Sequence, residues 1–394
     1  MRILFLTPRF PYPLLKGDTS RVYHQLRVLG DHHEITLLSL AETPVSSEDY
    51  DQVARLCARA IAVPLVRPQV ARNLARGVFS RLPLQVHYYH SPALRRQLQT
   101  LLAEGAFDLL HVTLVRMLPY VWQRARPPIV VDLIDSLALN LAVRRTQVGG
   151  PKRLAYEMEY RRVQAYEQAV VRRFPQLLVT GAADKAALGG GAGIHVLPMG
   201  VDLERFPFHG PEGRAPATLI FTGNMGYHPN DEAVLWFAAE VWPRLRVTHP
   251  QAVWQIVGTN PGERVRALAA PGSGIEVLGR VPDVVPYLGA ATVAVCPLQS
   301  GSGIQMKVQE ALACGLAVVA TPIANRGVQA VDERDLLVAE GGAAVAAACA
   351  RLLDDAALRA RLGTAGRAFV EDHFRWEGHG QALDAIYQTA VGAR

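Results

Sequence analysis

The chain is poor in sulfur and in aromatic rings, and it lacks any long apolar run. Its four cysteines (Cys57, Cys296, Cys314, Cys349) are scattered, with no C-x-x-C pair. That argues against a disulfide scaffold or a thiolate metal cluster and fits reduced thiols in a core. Aromatic residues make up only 7%, and none interleave with a basic run, so a nucleic-acid partner is not indicated. No apolar stretch reaches the roughly 18 residues needed to span a bilayer. The apolar part of the opening MRILFLTPRFPYP is too short for a signal peptide and reads better as a first strand. The histidines stand alone, there is no G-x-G-x-x-G fingerprint, and no repeat or low-complexity tract interrupts the chain. A metal site is therefore not indicated. What is present is ample core material: 394 residues, half of them hydrophobic and 19% charged, a length comfortable for two domains.

Charge is unevenly distributed. Residues 1–200 hold 25 Lys and Arg against 15 Asp and Glu, while the remainder hold 16 against 20. A basic half beside an acidic one points to an anionic partner for the first, either the inner membrane leaflet or a lipid-diphosphate acceptor, unless the arginine excess is composition bias. Residues 44–106 read as helical patches and turns rich in arginine (Arg67, Arg72, Arg76, Arg81, Arg95, Arg96), with Phe79, Leu82 and Leu84 nearby. They suit contact with a membrane or ordinary surface helices equally.

The most informative stretch is Gln299–Val319, QSGSGIQMKVQEALACGLAVV. An apolar run, TVAVCPL, precedes it as a buried strand, and Leu316–Ala320 follows as another. Between them a Gly/Ser loop leads into a helix that Gly315 ends. The amino end of such a helix favours phosphate. Lys307, in the first turn, adds a point charge to a diphosphate, and Glu310, three residues on and on the same face, suits a pair of sugar hydroxyls. A solvated Lys307–Glu310 pair on an ordinary helix is the plainer reading of the same residues.

GIQMKVQEALACGLAVVATPIANRGV resembles the donor-site motif of the retaining GT-B glycosyltransferases of family 4, and is most similar to the sugar transferases of bacterial exopolysaccharide clusters. The resemblance implies an α/β fold of two Rossmann-like doubly wound domains facing one another across a cleft, with a C-terminal helix crossing back to the first domain. It also implies a hexosyltransferase that takes a UDP- or GDP-type sugar, needs no other cofactor and no metal, and retains anomeric configuration. The partners would be that donor and a sugar or lipid-linked acceptor, and the location cytoplasmic, with a peripheral place on the inner membrane. Glu310 matches the family's second motif Glu, which holds the ribose. Ser302 stands where the first Glu is expected. Gly303, Ile304 and Lys307 complete the donor loop, Arg280 and Val281 occupy the loop beside the nucleobase, and Asn224 takes the place of a family Arg. With that Arg absent, phosphate charge falls to Lys307, the helix end and Arg9 or Arg280. A nucleotide-sugar epimerase of the same fold, or a catalytically degenerate scaffold, remains open.

The N-terminal strand, loop and helix order, with PYPLLKGDTSRVYHQL, also resembles the family. It assigns Gly17 to the donor diphosphate and Arg21 to the acceptor. Strands at Phe107–Val112 and Pro128–Leu133 carry His111, Asp132 and Asp135 to the expected cleft, His111 as an acceptor contact. Either aspartate would stabilise oxocarbenium charge or take the acceptor proton; a carboxylate capping the following helix is the alternative for Asp135. The composition shift at PFHGPEGRAP places the domain boundary at 207/208. The expected domains are 1–207 with the helix 374–394, acceptor-binding, and 208–373, nucleotide-sugar-binding.

Overall fold

The computed structural model describes residues 1–14, 16–145, 149–301 and 303–392. The chain forms two compact units, Met1–Pro198 with Trp376–Arg394, and Met199–Arg375.

The first unit is built on β1 (Arg2–Thr7), β2 (Glu34–Ala41), β3 (Arg59–Pro64), β4 (Leu109–Thr113), β5 (Ile129–Ile134), β6 (Gln176–Val179) and β7 (Ile194–Val196). They lie in the order β3-β2-β1-β4-β5-β6-β7, every pair parallel. Near-continuous apolar runs such as Ile3–Leu6 are buried because helices cover both faces of a parallel sheet. Strand β3 corrects the expectation of helical patches through residues 44–106. Its sequence, RAIAVP, buries only Ala60 and Val63, as suits a sheet-edge strand, and helical periodicity on either side masks it.

The second unit holds β8 (Thr218–Thr222), β9 (Val253–Val257), β10 (Ile275–Gly279), β11 (Val293–Cys296), β12 (Ala317–Ala320) and β13 (Leu337–Val338). They form the parallel order β10-β9-β8-β11-β12-β13. In each sheet the order reverses beside the unit's first strand, between β1 and β4 and between β8 and β11. Open α/β sheets bind ligands past the carboxyl ends of such strands.

The division falls at 198/199, earlier than the expected 207/208, and at 375/376, two residues later than the expected 373/374. Residues 199–206 are fastened to the second unit: Val201 bridges to Arg375, Val201 and Phe206 enter that unit's apolar cluster, and Gln309 Nε2 donates to Met199 O at 3.2 Å. The stretch PFHGPEGRAP, where composition shifts, is held as well. Arg214 donates to the carbonyls of His209, Gly210, Leu288, Gly289, Ala291, Cys314 and Gly315 at 2.7–3.4 Å. Proline and glycine marked an irregular path there, which the guanidinium fixes.

The last helix, Trp376–Gly392, belongs to the first unit as expected. Leu383, Ile386 and Tyr387 pack with Val22, Leu26 and Leu29 of helix Gly17–Gly30. A buried polar cluster joins these elements. Asp132 is wholly buried and accepts from Arg21 Nε at 2.6 Å and Gln25 Nε2 at 2.8 Å. Arg21 Nη1 reaches Leu197 O (2.9 Å) and Pro198 O (3.2 Å). His379 Nδ1 lies 3.1 Å from Pro198 O, and the Tyr387 hydroxyl 2.7 Å from His111 Nδ1. Burial pushes the Asp132 carboxyl up most strongly, but Arg21, His111 and Gln25 together hold the group below the carboxylate range. Burial lowers His111 to about 4 and His379 to about 3.

Removing one partner of a buried ion pair leaves an uncompensated charge, so Arg21→Met should cost about 3–5 kcal/mol. Hydrogen exchange should quicken in β5 and in the last helix while β8–β12 keep their protection. Unchanged exchange in β5 would refute the cluster's role. Both histidines stay neutral in the folded state below pH 6.5, where the unfolded chain takes up protons. Stability of the first unit should therefore fall as pH drops from 6.5 towards 4, by up to about 1.4 kcal/mol per pH unit per histidine. Denaturant midpoints measured across that range should show a shallower slope for His379→Gln.

Candidate functional site

Strands β8 and β11 are neighbours, so the loops leaving their carboxyl ends meet. The first carries Gly223 to Tyr227 into helix His228–Glu240, and the second leads into helix Met306–Ala313. Lys307, in the first turn of the latter, joins them. Its ammonium donates to Asn230 Oδ1 at 2.8 Å and Gln305 Oε1 at 3.3 Å, and sits 5.5 Å from the Phe221 ring centroid. An ammonium has three donors, so one remains. Asn230 in turn donates from Nδ2 to Asn224 O at 2.9 Å. The Asn224 side chain is exposed, and its Oδ1 accepts from Gly226 N and Asn260 Nδ2 at 3.0 and 3.1 Å. Asn230, not Asn224, thus reaches the lysine. The sequence signal was an asparagine in the first turn of a helix leaving a strand.

Two glycines allow this approach. A Cβ on Gly258, which has φ +149°, would lie 1.6 Å from Gly223 O. One on Gly223 would lie 2.9 Å from Asn230 Nδ2. Gly315 ends the helix as expected. With φ +71° it donates to Leu312 O at 2.9 Å while Leu316 N reaches Ala311 O at 3.0 Å, the paired bonds of a Schellman end.

Glu310 lies one turn beyond Lys307 and is half-buried. Its carboxylate takes no hydrogen bond or ion pair among the described residues. Burial raises its pKa, with Arg205 and then Lys307 pulling the other way. A partly buried carboxylate left without a donor is a functional candidate on physical grounds. Arg205, from the segment just before the expected boundary, is a neighbour that sequence order did not place there. Gly303 and Ile304 are half-buried against Gly327, whose Cβ would lie 2.8 Å from Gly303 O and from Ile304 Cα. Arg280 is exposed, and Val281 packs against the apolar cluster of this unit. Ser302 lies outside the described residues.

The first unit corrects three expectations. Arg21, His111 and Asp132 are each wholly buried and engaged with one another's surroundings in the polar cluster. None offers a group to an acceptor or a reacting carbon: apolar strands carry His111 and Asp132 inside the sheet layer, and Arg21 faces inward from the helix that begins at Gly17 to meet Asp132. Asp135 does stand at the carboxyl edge. It is half-buried, accepts from Thr180 Oγ1 at 2.9 Å, and burial raises its pKa. It does not cap the following helix: Glu167 does, accepting from Leu137 N at 2.7 Å, together with Ser136 Oγ, which accepts from Leu139 N at 3.2 Å. The residue before Asp135, Ile134, has φ +67°, and Leu114 past β4 has φ +68°. Such values are strained for side chains of this bulk and collect at functional edges. Gly17 is exposed at the start of its helix, where an added Cβ would meet nothing. Arg9 is committed to Asp18 (2.5 Å), the Tyr89 hydroxyl (2.6 Å) and Glu42 (3.2 Å). Among the described residues no cluster of metal-ligating side chains is present, and no helix is long and apolar enough to cross a membrane.

Comparison with known proteins bears on the same regions. Residues 216–355 match the model of the glycosyl transferases group 1. The chain is 27% identical over its whole length to a phosphatidyl-myo-inositol mannosyltransferase of Mycolicibacterium smegmatis, covering 95% of that protein. Among solved structures, sucrose-phosphate synthase from Thermosynechococcus elongatus matches all of both chains with a TM-score of 0.74 at 18% identity. Anabaena HepE, in complex with UDP and glucose, matches 99% of this chain and all of its own with a TM-score of 0.68 at 13% identity. These likenesses make the fold GT-B, two Rossmann-like α/β units, and relate the chain to the group 1 glycosyltransferases.

An unpartnered carboxylate raised by burial does not stabilise the fold above its unfolded pKa. Glu310→Gln should therefore hold or raise the melting temperature at pH 7, within about 0.5 kcal/mol of neutral or better. A clear loss of stability would mean the carboxylate has a structural partner.

Proposed function

We propose that this chain, a GT-B relative of the group 1 glycosyltransferases, moves a sugar from a nucleotide-diphosphate sugar to an acceptor hydroxyl in glycolipid or polysaccharide biosynthesis. One observation carries the reading. At the switch point of the second sheet a lysine is drawn to the meeting loops, while a carboxylate one turn on is left without a donor. The spare donor of Lys307 and the free N–H groups of the helix end suit a leaving diphosphate. The two oxygens of Glu310 suit the paired hydroxyls of a ribose. Gly303 and Ile304 would line the phosphate path, Asn224 would flank it, and Arg280 and Val281 would border the base. Gly17 would let the first unit's backbone approach the diphosphate.

Transfer breaks the anomeric C–O bond to the diphosphate and forms one to the acceptor oxygen. Asp135, raised by burial and placed at the sheet edge, would stabilise the positive sugar or take the acceptor proton. The reading includes retention of configuration, a UDP- or GDP-type donor and no metal. The lipid named in the mannosyltransferase relative supports a lipid-linked acceptor. Val66, Val78, Phe79 and Leu82 are exposed, Phe79 by 94%, near Arg67, Arg72, Arg76 and Arg81. Exposed apolar side chains on a segment that also carries exposed arginines suit peripheral contact with an anionic leaflet from the cytoplasmic side.

Calorimetric titration of UDP and GDP sugars should find one that binds, and Glu310→Ala should weaken it. Lys307→Met should lower kcat/KM by about 100- to 1,000-fold, the usual loss on removing one preorganised contact to developing charge. Equal affinity of wild type and Glu310→Ala for every sugar nucleotide would overturn the ribose role.

A further inference from the structure

On the flank of the first unit lies a cavity of about 710 Å³ that the donor loop does not use. Its walls come from helix Pro92–Glu104, from the turns between β4 and β5, and from helix Gly150–Arg173. Both helices run into the amino ends of the next strands. Gln99 and Ala169, in their C-terminal halves, therefore place the cavity away from the sheet's carboxyl edge.

The lining combines three aromatic rings with unengaged polar ends. Trp122 stacks on Tyr166, centroids 5.4 Å apart at 18°, and Arg95 sits 5.4 Å over the Tyr120 ring. Arg95 and Arg124 make no ion pair, and their guanidinium groups, like the amides of Gln99 and Gln123, take no hydrogen bond among the described residues. The Tyr166 hydroxyl is buried, on a residue only 7% exposed, and lacks a hydrogen-bond partner. No carboxylate lines the cavity. The wall is preformed, since Arg173 in the last turn of its helix donates to Trp122 O and Arg124 O at 3.0 and 2.6 Å.

A pocket of this size with apolar walls and a few convergent polar groups is built as a small-molecule site. Two unpaired guanidinium groups, with no opposing acid, select an anion. Two amides, each donor and acceptor, suit hydroxyls, and the aromatic rings suit the C–H face of a pyranose. We propose that this cavity binds a sugar unit bearing a carboxylate or phosphate, at a site separate from the donor loop and independent of the transferase reading. A nucleotide fits less well, because no glycine-rich loop or helix amino end lines the walls to take its phosphates.

The test is calorimetry on the full chain with a uronate-containing disaccharide, a hexose phosphate, a neutral disaccharide and UMP. At least one of the two anionic sugars should bind saturably, more tightly than the neutral one, and whichever binds better identifies the anion. The double variant Arg95→Gln/Arg124→Gln should weaken it by about tenfold or more, as loss of charge-assisted bonds does. Glu310→Ala should leave it unaltered. The proposal fails if neither anionic sugar saturates, if the double variant binds as wild type does, or if Glu310→Ala abolishes binding. It fails too if UMP binds more tightly than the sugars and is the ligand the double variant loses.

Discussion

A carboxylate with no access to water must be met by charge, and in the first unit that demand falls on Asp132. Isolated, it would take up a proton or unfold its surroundings. Arg21 and Gln25 reach it from one helix, and Arg21 also ties down the chain at Leu197 and Pro198. His379 and Tyr387 close the cluster from the last helix. One ion pair thus sets the seat of the helix that begins at Gly17, the end of β5 before Asp135, and the docking of the C-terminal segment. Three residues that carry the chemistry expected of a site are instead the means by which its neighbours are held.

The second unit meets the opposite condition. There the polar groups lie past the ends of β8 and β11, and backbone proximity decides what they do. Gly258 lets its strand's exit pass against Gly223, and Asn230 can then reach Lys307. Glu310, on the same helix, is left with a raised pKa and no donor. A protein that satisfies Asp132 so fully and leaves Glu310 open separates structural from ligand-facing carboxylates by partner count, not by residue type. The flank cavity follows the same logic with the sign reversed, its guanidinium groups and the Tyr166 hydroxyl lacking an internal acceptor.

Much of the architecture was legible in the residues. Continuous apolar runs marked most of the strands, helical spacing of Val22, Leu26 and Leu29 marked the first helix, and Gly315 marked the end of another. The strand RAIAVP escaped because six residues between helices, only Ala60 and Val63 of them buried, carry too weak a period. The boundary was misjudged at PFHGPEGRAP because composition reports irregular backbone but not whether a distant arginine fastens it.

Sequence alone determined the two parallel-sheet units, the Gly/Ser loop before a short helix, and the presence of Lys307 and Glu310 one turn apart, since these depend on local periodicity and spacing. Only the tertiary structure decided that Arg21, His111 and Asp132 lie inside while Asp135 and Glu310 do not. It also decided that Asn230 is the partner of Lys307 and that Arg95, Arg124 and Tyr166 share a cavity. Burial and pairing are set by contacts between elements far apart in the chain, and no local pattern of residues encodes them.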